Sequence, residues 1–129
     1  MNRKYLDDIG MTSRPDKWNA YDHRQSIWAE QRKVYGFDDR ETWSLDLSFY
    51  LWLYERLKRF KEIAGVIIDL TEYKFEYNGK TYDRLQLIDM ILERLEFFFK
   101  EDYGAEGEKY NYVHEIEKIW AIILPVMWW

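Results

Sequence analysis

The residues best equipped for chemistry in this sequence are carboxylates. Asp89, Glu93 and Glu96 stand at i, i+4 and i+7, a spacing that puts all three on one face of a helix. Two or three carboxylates so placed can hold a divalent cation. The same spacing also suits an ordinary solvated face, with Glu96 paired to Lys100 one turn on. Asp46 is more unusual, because it lies between Leu45 and Leu47 in an otherwise apolar stretch. A buried carboxylate must be paired or hydrogen-bonded. The expectation is a polar contact from Asp46 to an arginine or a tyrosine hydroxyl near a helix start, with ligand reading as its alternative role.

Other chemistries find less support. All-α nucleoside triphosphate pyrophosphohydrolases build a metal site from two Glu-x-x-Glu/Asp helices; Glu93-Arg94-Leu95-Glu96 resembles one such motif, and no convincing second is present. A metal-dependent nucleotide hydrolase on Asp89, Glu93 and Glu96 is therefore an alternative, not the leading reading. Arg56, Lys58, Arg59 and Lys61 could receive phosphate, although cations are also favoured near a helix C-terminus by the helix dipole. The only two histidines, His23 and His114, are too few for most histidine metal sites and read as surface residues. There is no Gly-rich phosphate loop, no Gly-x-Ser-x-Gly elbow and no His-Glu-x-x-His. The absence of cysteine removes disulfide frameworks, zinc ribbons and thiol nucleophiles together. These absences point away from an enzyme, and no cofactor is called for.

The elements that must position these side chains follow from composition and period. With 129 residues, the chain is expected to form one domain, its first 15 residues an irregular surface segment. Only two prolines and six glycines interrupt it, so the predicted fold is mainly α: about four helices in a compact bundle, with one small β-hairpin around Tyr73–Tyr82. Asp16 caps a first helix from about Lys17 to Tyr35, ended by Gly36, with a modest apolar stripe of Trp18, Tyr21, Ile27, Trp28 and Val34. Asp38 and Glu41 form a capping box for a second helix from Arg40 to about Ala64, ended by Gly65. Its first half is apolar on nearly every side, as in a central helix. Val66 to Leu70 reads as a short connection. Alternation at Tyr73, Phe75 and Tyr77, followed by Asn78-Gly79, is a strong hairpin signal. Asp83, with Gln86 three residues on, caps a third helix to about Lys100, striped by Leu85, Ile88, Leu92, Leu95 and Phe99 and widened by Ile91 and Phe98. A loop from Glu101 to Lys109 leads to a fourth helix, Glu108 to Leu124, burying Val113, Ile116, Trp120 and Ile123. Pro125 must break or redirect it.

Charge and aromatic content shape the expected partners. The net charge is -5, which argues against a dedicated nucleic-acid binder. Aromatic residues make up 19% of the chain, including seven tryptophans; such rings fill cores, and they also dominate interfaces and ligand cages. The run Ile119 to Trp129 has three tryptophans and no charge. It is about half the roughly 20 residues needed to cross a bilayer, so no membrane role is expected, and burial in the core or against another molecule is. Trp128 is expected to pack internally, and Trp129 to lie nearer the edge at a homodimer contact.

Three strings carry a resemblance: Asp38-Asp39-Arg40-Glu41-Thr42-Trp43-Ser44-Leu45-Asp46, Trp52-Leu53-Tyr54-Glu55-Arg56-Leu57-Lys58-Arg59-Phe60, and Ile119 through Trp129. They resemble a group of small uncharacterised proteins encoded by bacteriophages and prophages. The resemblance implies a viral origin and residence in a bacterial host cytoplasm, and it transfers no site. The leading functional expectation is a phage accessory protein that binds a host protein, as an inhibitor of a bacterial defence system. The alternative is a protein that sequesters a nucleotide signal, its rings stacking the base while Arg56 or Arg59 takes the phosphates. Asp46, Trp52, Arg56, Arg59 and Trp129 are the candidate ligand- or partner-binding residues.

Overall fold

In the computed structural model the described residues are 21–43, 45–100 and 106–129. They form α1 (Gln25–Tyr35), α2 (Arg40–Trp43), α3 (Leu45–Ile67), β1 (Lys74–Tyr77), β2 (Lys80–Asp83), α4 (Arg84–Lys100), α5 (Glu106–Ile123) and a 3-10 turn at Leu124–Val126. The fold is mainly α with one antiparallel hairpin, as the sequence predicts. Contacts group the chain into two compact units that meet within α3, between Glu55 and Arg56. The predicted irregular segment 1–15, the Asp16 cap and Trp18 lie outside the described residues.

In the first unit, local hydrogen bonds decide where helices begin. The Asp22 carboxylate accepts the Arg24 backbone N–H at 2.9 Å, a local turn that competes with helix. Residues 21–24 are accordingly non-helical and α1 starts at Gln25, so the predicted helix is interrupted there, and its residues 17–20 lie outside the described residues. At the other end Gly36 adopts φ 83° and donates to the Arg32 carbonyl, the left-handed stop that glycine permits. Of the described members of the expected α1 stripe, Trp28 is buried and Tyr21, Ile27 and Val34 are exposed. The capping box ahead of α2 is present in both directions: Asp38 N–H donates to Glu41 Oε2 at 2.9 Å, and Arg40 N–H to Asp38 Oδ1 at 3.0 Å. The start of α3 is not apolar all round in its setting. Tyr50, Leu51, Leu53 and Tyr54 are buried, whereas Leu45, Asp46, Phe49 and Trp52 face solvent.

The second unit has a dense aliphatic centre. Here α3 runs through Gly65 to Ile67, so that glycine does not stop it. The stop comes later, where Asp69 Oδ1 accepts both the Thr71 N–H at 2.9 Å and the Thr71 hydroxyl at 2.6 Å. Asn78 at φ 51° and Gly79 at φ 73° close the hairpin with the paired positive φ of a type I′ turn. They set Phe75 opposite Tyr82 and Tyr77 opposite Lys80. Tyr77 is buried and Phe75 half-buried, while Tyr73 is exposed, so the hairpin's apolar face shortens to two rings.

Asp83 and Gln86 cap α4 reciprocally, at 2.9 and 2.7 Å. Leu87, Ile88, Ile91 and Leu95 of α4 and Ile116, Ile119 and Ile123 of α5 are fully buried. Each such side chain contributes about 1.5–3 kcal/mol by leaving water. Leu87 and Ile119 widen the predicted stripes, and Val113 and Trp120 are only half-buried. Arg94 on α4 bonds Glu115 on α5, and the Phe97 and Tyr112 rings meet at 4.4 Å. Beyond Ile123, Pro125 sits in the 3-10 turn, whose Val126 carbonyl accepts from the buried Arg84. Trp128 and Trp129 are 60% and 56% exposed. The expectation of an internally packed Trp128 is thereby corrected: its ring lies largely in solvent.

Candidate functional site

The surface of most interest lies in the first unit, and a buried polar centre holds it in place. Trp28 is covered on its ring by two guanidinium groups, Arg40 at 4.2 Å and Arg24 at 4.8 Å from the centroid. Cations over an indole face are attracted by the ring quadrupole. Arg40 is fully buried, and its charge is answered by Asp38, whose carboxylate it contacts at 2.8 Å while Arg32 contacts the same oxygen at 2.7 Å. Burial alone would push the Asp38 carboxyl upward. The hydrogen bonds from Arg40 and Arg32, with the Arg40 backbone N–H, outweigh that and hold it below the ordinary carboxylate value. A second clasp joins α1 to the segment before α2: Gln31 donates to Asp39 Oδ2 at 2.9 Å and accepts its N–H at 3.0 Å.

On this frame stands an open apolar groove. It is lined by Phe37, Glu41, Thr42, Leu45, Ser48, Phe49 and Trp52 and has a cavity volume of about 390 Å³. The α3 members, Leu45, Ser48, Phe49 and Trp52, recur at i, i+3, i+4 and i+7. Phe37, Leu45, Phe49 and Trp52 are between 40% and 66% exposed. Phe49 and Trp52 lie nearly parallel, 14° between planes and 6.2 Å between centroids. Ser48 also lines the groove, but its hydroxyl oxygen is itself shielded from solvent and has no hydrogen-bond partner among the described residues. Large rings grouped in solvent in this way make the groove the candidate binding surface.

The sequence-predicted site residues fare unevenly. Trp52 belongs to this groove, whereas Asp46 is exposed on α3 and is not among the residues that line it. Asp46 is thus not the buried carboxylate expected of an apolar segment. That role falls to Asp38, because the polar pocket around Trp28 and not the helix interior receives the charge. Arg56, Arg59 and Trp129 belong to the second unit, all three exposed, with Arg59 in contact with Glu62 at 3.1 Å.

The proposed metal ligands do not come together. Asp89 is paired with Lys61 at 2.6 Å, Glu93 is exposed and Glu96 half-buried. Among the described residues no group of three or more His, Asp or Glu could hold a metal ion. His23 and His114 are exposed, each 3.5 Å from a neighbouring carboxylate, Asp22 and Glu117. Phe37, Leu45, Ser48 and Phe49 are the site residues that sequence reasoning missed. Their signal was the i, i+4, i+7 spacing of Leu45, Phe49 and Trp52, concealed because the intervening residues are apolar too.

No protein-family model, no curated protein and no solved structure matches this chain. No helix of the described residues is long and apolar enough to cross a membrane.

Proposed function

We propose that this protein acts by binding a partner protein through the Phe37–Leu45–Phe49–Trp52 groove, and not by catalysis. The observation that carries the reading is the α3 stripe of Leu45, Phe49 and Trp52, all large, apolar and solvent-facing on one side of a helix whose other side is buried. Aromatic anchors of this kind dominate binding energy at protein interfaces. The finer reading places the partner among bacterial host proteins, with the chain as a phage accessory protein that inhibits a defence system. Its support is the resemblance of residues 38–46 and 52–60 to phage-encoded proteins, since those strings include the groove residues Glu41, Thr42, Leu45 and Trp52.

The test is affinity capture from bacterial lysate by the wild-type chain and by Trp52→Ala, each with its melting temperature measured. Truncating an anchor residue costs about 2 kcal/mol or more of binding, roughly thirtyfold in affinity, whereas an exposed side chain affects folding little. Specific loss of a captured protein from Trp52→Ala with an unchanged melting temperature is the expected result. Identical capture by both proteins, or capture by neither, overturns the reading.

A further inference from the structure

Arg84, the first residue of α4, is buried in the second unit. A buried charge ordinarily has an opposite charge beside it, yet no carboxylate pairs with Arg84 among the described residues. Its buried neighbour Asp83 accepts the Gln86 N–H at 2.7 Å and stands 3.9 Å from the Lys74 ammonium. The Arg84 Nε has no hydrogen-bond partner. What Arg84 does make is one long-range bond, from Nη1 to the carbonyl of Val126.

The segment that receives this bond has little else to hold it. None of Leu124, Pro125 and Val126 is buried, and Leu124, Trp128 and Trp129 are each more than half exposed. Its backbone bonds are local: Met127 N–H donates to the Leu124 carbonyl at 3.3 Å and Trp128 N–H to that of Val126 at 3.0 Å. Segments with few buried apolar contacts open at low free energy while the core beside them stays folded. A single bond from a charged donor, stronger than one between neutral groups, then decides how firmly the segment is closed.

We propose that Arg84 is a latch. It holds residues 124–129 as a strap that opens without unfolding of the α4–α5 pair, and so governs how Trp128 and Trp129 are presented. Breaking the latch exchanges the neutral Val126 carbonyl for water, a small net change for the guanidinium, which makes the opening reversible.

Amide hydrogen exchange of the full chain, read by NMR along a series of low urea concentrations, tests this. In the wild type, Met127 and Trp128 should be protected but exchange at rates that urea barely changes, the mark of local opening. Ile119 and Ile123 should follow global unfolding. Arg84→Met should speed exchange at Met127 and Trp128 at least about tenfold. It should leave Ile119, Ile123 and the melting temperature unchanged or raised, because apolar volume in place of a buried charge is often neutral or stabilising. Unprotected Met127 and Trp128 in the wild type, or exchange there only with global unfolding, overturns the strap. Protection there that survives Arg84→Met overturns the latch. An Arg84→Met chain that fails to fold, or loses protection at Ile119 and Ile123 to the same degree, makes Arg84 a general stabiliser and also overturns it.

Discussion

Among the described residues each unit buries two charged side chains, Asp38 and Arg40 in the first and Asp83 and Arg84 in the second. The two differ in how much aliphatic side chain is buried with them. In the second, α4 and α5 bury leucine and isoleucine, seven of them completely, and charged groups such as Arg94 and Glu115 meet toward its surface. In the first, the buried set includes Trp28 between two guanidinium groups and the Asp38–Arg40 ion pair, while Ile27, Val34, Phe37, Leu45, Phe49 and Trp52 face outward. Hydrophobic side chains gain by leaving water, so the α4–α5 pair contributes most of the aliphatic burial, whereas the rings that α3 leaves in solvent contribute little to folding.

The sharpest way to break that contrast is to compare one substitution in each centre. Arg40→Ala leaves Asp38 as a buried carboxylate with only the half-buried Arg32 beside it, and breaking a buried pair costs about 3–5 kcal/mol. Ile119→Ala removes a fully buried aliphatic side chain, for about 2–5 kcal/mol. Urea unfolding should therefore find Arg40→Ala at least as damaging as Ile119→Ala. If Arg40→Ala costs under about 1 kcal/mol, the charged centre does not organise the first unit, and the contrast fails. Arg40→Met, which replaces the charge with apolar volume, separates the ion pair from packing on Trp28.

Acid should act on the same side of the comparison. Asp38 is held below its ordinary value of 3.8 in the folded protein. A carboxyl depressed by folding contributes stability that is fully present above its unfolded value and is lost as pH falls through the folded one. Asp69 is shifted in the same direction by its hydrogen bonds from Thr71. Urea midpoints measured from pH 6 down to pH 2 should fall below about pH 4 in the wild type. The fall should be shallower in Asp38→Asn, which has no carboxyl there to protonate. An equal slope in both proteins would place the acid sensitivity elsewhere.

What was readable from the residues depends on how local the signal is, in both units alike. Asn78-Gly79, Asp83 with Gln86, Asp38 with Glu41, and Gly36 each specify backbone conformation or capping within four residues, and all appear as expected. The α4 stripe was legible because polar residues separate its apolar ones. At the start of α3 nearly every residue is apolar, so the period vanishes and the buried side must be chosen by tertiary packing. Asp46 and Asp38 exchanged roles for that reason, since pairing with Arg40 over Trp28 is a product of the fold. Gly65 misled because glycine inside a helix costs only about 1 kcal/mol relative to alanine, whereas the Asp69–Thr71 turn supplies the actual stop.

The smallest effect tests the outward-facing residues of the second unit. Trp128 and Trp129 are more than half exposed, and the Arg84 hydrogen bond to Val126 anchors the turn just before them. Replacing both by alanine removes rings that bury little surface, so the expected loss is within about 0.5 kcal/mol per residue, far below the 3–5 typical of a buried aromatic. Capture of a partner protein through the groove should be unchanged. A drop in stability of several kcal/mol would show the two tryptophans packed, which would restore their reading as core. Retained stability with weakened capture would give the two tryptophans a binding role of their own. Retained stability and binding would leave the α3 groove as the place where exposed aromatic area is put to use.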